Sequence, residues 1–264
     1  MRPVRAVSVA AMAFLLAVAT FFLASPANAA TVRYVALGDS YSSGVGAGNY
    51  DSSSGSCERS PNAYASLWAA ANGPSSFTSV ACSGATTGDV LNSQLSALSS
   101  STTLISITIG GNDAGFSNTM ETCVLDGTSS CLSAVSTAEA YATNTLPGLL
   151  DNLYAAIHAK SPSAHVVVMG YPELYQINGD CWFGISDTSR SAINGAADTL
   201  DSVISQHAAS AGFTFADVRG DFSGHEICNS DPWLHSTTFP IDESYHPTAD
   251  GQQYGYLPAF TAAA

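Results

Sequence analysis

The sequence predicts an α/β fold built on a parallel sheet covered by helices on both faces. Three observations carry this. Short apolar runs of strand length alternate with longer segments whose apolar residues recur at helical spacing. Strands alternating with helices pair in parallel, because each return crossover needs a helix's length of chain. The chemically suggestive segments follow directly on the strand runs, and open parallel sheets build their sites beyond the carboxyl ends of their strands.

The elements follow in order. Val32 to Leu37 is largely apolar and ends in Gly38-Asp39-Ser40, a buried strand meeting a loop. Residues 42–55 are rich in Gly and Ser and read as loop. Pro61 to Ala71 carries Tyr64, Leu67 and Trp68 at helical spacing. Phe77 to Ala81 is a second strand. Thr87 and Asp89 start a helix over 88–98, with Val90, Leu91, Leu95 and Leu98 on one face. Leu104 to Ile109 is a central strand, stopping at Gly110-Gly111. Leu132 to Ala159 reads as one long helix, bent where Pro147 removes a backbone donor. His165 to Met169 is a fourth strand. Ser186 to Ala211 is a helix with Ile193, Ala197, Leu200 and Ile204 on one face, and Phe213 to Val218 a fifth strand. Thr248 to Phe260 begins as helix.

The first 29 residues are set apart from this pattern. Arg2 and Arg5 precede an apolar run from Val7 to Leu23, and Ala27-Asn28-Ala29 matches the small-residue site of a cleaved secretory leader. A membrane anchor is the alternative, but the run is near the minimum length for a span. The expectation is removal of 1–29, a mature start at Ala30 or Thr31, and one domain over 30–264, secreted and without an integral membrane segment. The formal charge is −14, and −16 once Arg2 and Arg5 leave with the leader. So acidic a chain repels phosphate backbones and anionic lipid, which argues against nucleic acid as a partner. The six cysteines, Cys57, Cys82, Cys123, Cys131, Cys181 and Cys228, read as three disulfides behind a leader. Counting allows about fifteen pairings, of which the sequential one is simplest. Neither CxxC nor HExxH occurs, which speaks against a metal site.

Four segments carry chemistry: Gly38-Asp39-Ser40-Tyr41-Ser42, Cys82-Ser83-Gly84-Ala85, Gly110-Gly111-Asn112-Asp113 and Ser244-Tyr245-His246-Pro247. None decides the reaction alone. In this order they supply a serine nucleophile, oxyanion donors and a base. Ser40 sits at a strand end, where a hydroxyl is exposed for attack if a base takes its proton. Most serines in so loop-rich a chain are turn hydroxyls. Of six histidines, His158, His165 and His207 fall in regular elements, and His225 and His235 are candidates for a pocket wall. His246, ahead of the last helix, is best placed to act on Ser40. The N–H groups of Ser40 and Gly84 and the Asn112 amide suit a tetrahedral oxyanion, although Gly84 and Asn112 also suit plain turns. Gly44-Val45-Gly46-Ala47-Gly48 lacks the helix of a dinucleotide loop. Gly-x-Ser-x-Gly is absent, against an α/β-hydrolase fold.

Together the four segments resemble the blocks of the GDSL, or SGNH, hydrolases. The stretch Ser40-Tyr41-Ser42-Ser43-Gly44-Val45-Gly46-Ala47-Gly48 and the run from Ile109 to Phe116 are similar to the secreted lipases and phospholipases of that family in actinomycetes. The resemblance covers essentially the whole mature chain. It implies a three-layer α/β/α sandwich, with a five-stranded parallel sheet in flavodoxin-like order. It implies Ser40 as nucleophile, Ser40, Gly84 and Asn112 as oxyanion donors, and His246 as base. It also implies the disulfides Cys57–Cys82, Cys123–Cys131 and Cys181–Cys228. Many members place an aspartate three residues before the histidine; here Glu243 stands there, with Asp242 beside it. In some relatives a backbone carbonyl two residues before the histidine orients it, which here is that of Ser244. A Ser40–His246 dyad held by Ser244 is the expectation, with Glu243 the alternative.

The expected activity is hydrolysis of fatty-acyl esters such as acylglycerols, by a monomer that needs no metal or organic cofactor. Phospholipase A and polysaccharide O-deacetylase are the rival enzymes, and a non-catalytic binding module is the rival outside catalysis. Tyr171, Tyr175, Trp182, Phe183 and Trp233 are candidates for an acyl-binding wall, though loop aromatics more often serve local core.

Overall fold

A computed structural model describes residues 31–179, 181 and 184–264. The leader assigned to 1–29 and the wall candidates Trp182 and Phe183 lie outside the described residues. The sheet is five-stranded and wholly parallel, in the order β2-β1-β3-β4-β5. Its strands are β1 (Arg33–Gly38), β2 (Ser76–Ser79), β3 (Leu104–Thr108), β4 (His165–Met169) and β5 (Thr214–Ala216). The interior strand β3 is buried at every position, because helices cover both its faces; the edge strand β2 alternates exposed and half-buried residues.

One covering layer holds α2 (Tyr64–Asn72) and α9 (Leu257–Ala263), where Trp68 and Phe260 pack on Tyr34 of β1. The opposite layer holds α3 (Thr87–Asp89), α6 (Leu146–Lys160) and α7 (Asp187–Ser210), with α5 (Gly127–Asn144) packed beside α7 and α4 (Phe116–Leu125) beside α5. The described residues also form the short helices α1 (Ser40–Ser43) and α8 (Arg219–Phe222). Among the described residues no helix is long and apolar enough to cross a membrane.

Several elements differ from the sequence reading for identifiable reasons. The helix expected over 132–159 is two, α5 and α6, separated at Thr145 (φ −114°, ψ −46°). Pro147 has no N–H to continue α5 but fits the first turn of α6. Helix α4 went unread because its Ser, Asn and Thr residues have weak helical preference. It buries only Met120 and Cys123, and Cys123 bonds to Cys131 of α5. The segment over 88–98 winds irregularly: α3 passes into a π turn at Val90–Gln94 and a 3-10 turn at Leu95–Ala97. The expected loop over 42–55 contains the end of α1 and part of a 3-10 turn at Ser52–Cys57. The remaining disulfides join Cys57 to Cys82 and Cys181 to Cys228.

Candidate active site

The turn that carries Ser40 is dictated by Gly38. Its φ is +120°, and a Cβ there would lie 2.4 Å from the Thr108 carbonyl oxygen, so only glycine lets β1 bend beside β3. Gln94 braces the same residue, accepting from Gly38 N–H and donating to its carbonyl, both at 2.8 Å. This reach back to β1 accounts for burying a glutamine in the irregular turn after α3. Asp39 then caps α1, accepting from Tyr41 N–H at 3.0 Å. Ser40 is the first helical residue, so its N–H has no partner within the helix.

Asp39 is itself buried. Its Oδ1 also accepts from the Thr108 hydroxyl at 2.6 Å, and its Oδ2 accepts from the Tyr171 hydroxyl. Burial pushes its carboxyl up to about 6, against the lowering effect of the Thr108, Tyr171 and Tyr41 bonds. The Tyr171 hydroxyl also accepts from Gly111 N–H at 3.4 Å, so one side chain ties the serine turn to the loop after β3.

That loop presents Asn112, whose amide donates to Ala85 carbonyl at 3.0 Å and keeps a second hydrogen for a ligand. Asp113 is turned away and accepts from Thr87 N–H and hydroxyl, at 3.0 and 2.6 Å. Gly84 precedes Ala85 in a left-handed conformation (φ +76°), exposed on a loop fastened at Cys82 N–H to Gly38 carbonyl and by the Cys57–Cys82 bond.

His246 arrives from the other end of the chain. Its backbone is fixed by His235, whose N–H donates to His246 carbonyl at 2.9 Å. Its Nδ1 lies 3.0 Å from Ser244 carbonyl oxygen, which only accepts, so Nδ1 carries the proton and donates. Nε2 is then the bare nitrogen, and it accepts from Ser40 Oγ at 2.8 Å. Burial holds the imidazole down at about 4 despite the Ser244 bond, with His235 adding to the depression, so the ring is neutral at pH 7. Glu243 faces elsewhere: its Oε1 accepts from Tyr50 hydroxyl at 2.7 Å.

Ser40 and Asn112 line an apolar pocket. Of the aromatic wall candidates that the structure describes, only Tyr171 lines it. Tyr175 packs on Tyr245, and Trp233 stacks on His225 at 3.5 Å, so neither they nor His225 forms the wall. His235 holds the glycine loop instead, through its Nε2 and Gly46 carbonyl at 2.8 Å. The wall comes from helices α4, α5 and α7, including Phe116, Met120, Val135, Ile193, Ala197 and Leu200. The sequence held a trace of it, since Ile193, Ala197 and Leu200 share a helical face; they line this pocket on a helix that also packs on β4 and β5.

A family model of GDSL-like lipases and acylhydrolases matches residues 36–254. This chain belongs to that family. It is 60% identical over 256 residues to Lipase 1 of Streptomyces coelicolor, covering 97% of this chain and 94% of that one. Two solved structures superpose with a TM-score of 0.87 each. The extracellular lipase of Streptomyces rimosus is 56% identical, covering 88% of this chain and 100% of its own. The phospholipase A1 of Streptomyces albidoflavus is 58% identical, covering 89% and 100%. As a GDSL-family member the chain is a lipase/esterase-type hydrolase, and its three-layer architecture is that of this family.

Proposed function

We propose that this GDSL hydrolase cleaves fatty-acyl esters, acylglycerols among them, with Ser40 as nucleophile and His246 as base. The observation that carries the reading is the 2.8 Å contact of the unprotonated His246 Nε2 with the Oγ of Ser40, which lines an apolar pocket. The acyl chain lies in the pocket, which puts the ester carbonyl over Ser40. As Oγ bonds to the carbonyl carbon, Nε2 takes the hydroxyl proton. The carbonyl oxygen becomes an oxyanion held by the Ser40 and Gly84 N–H groups and the Asn112 amide; losing one such donor costs ~10²–10³ in rate. Collapse breaks the bond to the alcohol, which takes the proton from His246. Water then adds to the acyl-enzyme by the same route, releasing the fatty acid. The Ser244 carbonyl keeps the ring in the reactive tautomer and stabilises the imidazolium.

Phospholipase A activity is the second reading, favoured by the 58% identity to the Streptomyces albidoflavus phospholipase A1. A deacetylase has no use for so long an apolar wall. We further propose that the protein is secreted as one hydrolase domain over 30–264 after loss of 1–29. Its three disulfides suit an oxidising compartment, and the Streptomyces rimosus relative is described as extracellular.

The test compares the mature protein with its Ser40→Ala variant on p-nitrophenyl esters from acetate to palmitate, then on triacylglycerol and phosphatidylcholine emulsions. The expected result is a loss of at least about 10⁴-fold in kcat, with turnover best on medium or long chains. Undiminished turnover without Ser40 would overturn the mechanism, and an acetate-only profile would overturn the substrate class.

A further inference from the structure

We propose that the tip formed by Phe239, Pro240 and Ile241 is a lipid-docking surface that seats the protein on neutral or zwitterionic lipid aggregates. The proposal rests on the acyl-ester reading and deepens it by naming the face that meets the substrate. Phe239 is 90% exposed, more than any other large apolar side chain among the described residues, and Ile241 is 62% exposed. Single exposed apolar residues are ordinary, but a run of three held outward is not.

The tip is held out by a hydrogen-bonded frame. Thr238 N–H donates to Ser244 Oγ at 2.9 Å, and Glu243 and Ser244 N–H donate to the Pro240 and Ile241 carbonyls at 3.1 Å. Tyr50 fixes the far side through Glu243. Ser244 closes this frame with its hydroxyl and holds His246 with its carbonyl, so the apolar tip is hydrogen-bonded to the same residue that holds the imidazole.

Two observations choose the occupant. An acyl chain can pass from an aggregate into the pocket without crossing water only if the pocket opens against the aggregate, and the tip is joined through Ser244 and His246 to Ser40, which lines that pocket. Charge then selects the lipid. No lysine or arginine follows Arg219, and the exposed acid next to the tip, Asp242, carries negative charge there; burial and this neighbour together raise the Glu58 carboxyl. Anionic headgroups are repelled, so the attraction comes from apolar area alone and is nearly independent of salt.

Binding is measured without hydrolysis, using the Ser40→Ala protein with and without Phe239→Ser and Ile241→Ser. Each is sedimented with phosphatidylcholine vesicles at low and high salt. The two substitutions are expected to lower partitioning at least about tenfold, while the same pair in the active protein leaves p-nitrophenyl acetate turnover within about twofold. Equal binding by both proteins, or stronger binding to phosphatidylglycerol vesicles, would overturn the docking surface. So would a lipid-free dimer that the two substitutions dissociate, since a second copy would then be the occupant. A chain without esterase activity that still lost vesicle binding would overturn the acyl-ester reading and uphold the surface.

Discussion

Which group orients His246 is decided by single hydrogen bonds. Glu243 stands where a triad acid would, yet its carboxylate takes the Tyr50 hydroxyl, while Ser244 carbonyl receives the imidazole N–H at 3.0 Å. A carbonyl fixes the tautomer as a carboxylate does but brings no full negative charge to the developing imidazolium. Glu243→Ala is therefore expected to lower kcat/KM for p-nitrophenyl butyrate by less than about tenfold, against about 10⁴-fold for His246→Ala. A Glu243→Ala loss approaching that of His246→Ala would make the carboxylate the orienting group. The residues that this candidate site brings together were legible because Ser40, Asn112 and His246 sit in short contiguous segments at strand ends or before a helix. The choice between Glu243 and Ser244 was not, because it depends on Tyr50, nearly two hundred positions away in sequence.

At the scale of elements, the strands were readable because their apolar runs are bounded by glycines, whereas the pocket was not. A wall of alanines on α5 and α7 reads as helix packing, since nothing in helical periodicity separates a face that touches the sheet from one that lines a void. Aromatic loop residues looked the better candidates, but Tyr175 and Trp233 were satisfied by their own neighbours. The small residues make the pocket testable. Ala197 is half-buried on α7 and faces the cavity, so a larger side chain there fills space that acyl carbons would use. Displacing a few methylenes forfeits about 0.8 kcal/mol each. Ala197→Leu is expected to cut kcat/KM on p-nitrophenyl palmitate at least about tenfold, with acetate turnover within about threefold. A uniform loss across chain lengths would mean that the pocket does not hold the acyl chain.

Across the whole molecule, the buried acids Asp201 and Asp39 and the His246 imidazole set how stability depends on pH. Asp201 of α7 lies under the site: its Oδ1 accepts from Tyr171 N–H at 2.9 Å, its Oδ2 has no hydrogen-bond partner, and Arg219 Nε is 3.7 Å away. Burial pushes this carboxyl up to about 8; the Tyr171 bond and Arg219 oppose the rise, while Asp217 and Asp198 add to it. A raised carboxyl binds protons in the folded state that the unfolded chain has released, so it lowers stability as pH rises between 3.8 and about 8. Asp39 acts with the same sign between 3.8 and about 6. His246, held at about 4 instead of 6.5, acts with the opposite sign between those values, because there the unfolded chain binds the extra proton. Above pH 6.5 Asp201 dominates these three. From pH 8 down to 6.5 the protein is expected to gain about 1–2 kcal/mol, a few degrees in Tm. Lower net negative charge would also help on acidification, and one substitution separates the two causes. Asp201→Asn keeps an acceptor for Tyr171 N–H and cannot titrate, so its Tm should be nearly flat over this interval in calorimetry. A variant that kept the wild-type slope would assign the effect to overall charge repulsion instead of to this one carboxyl.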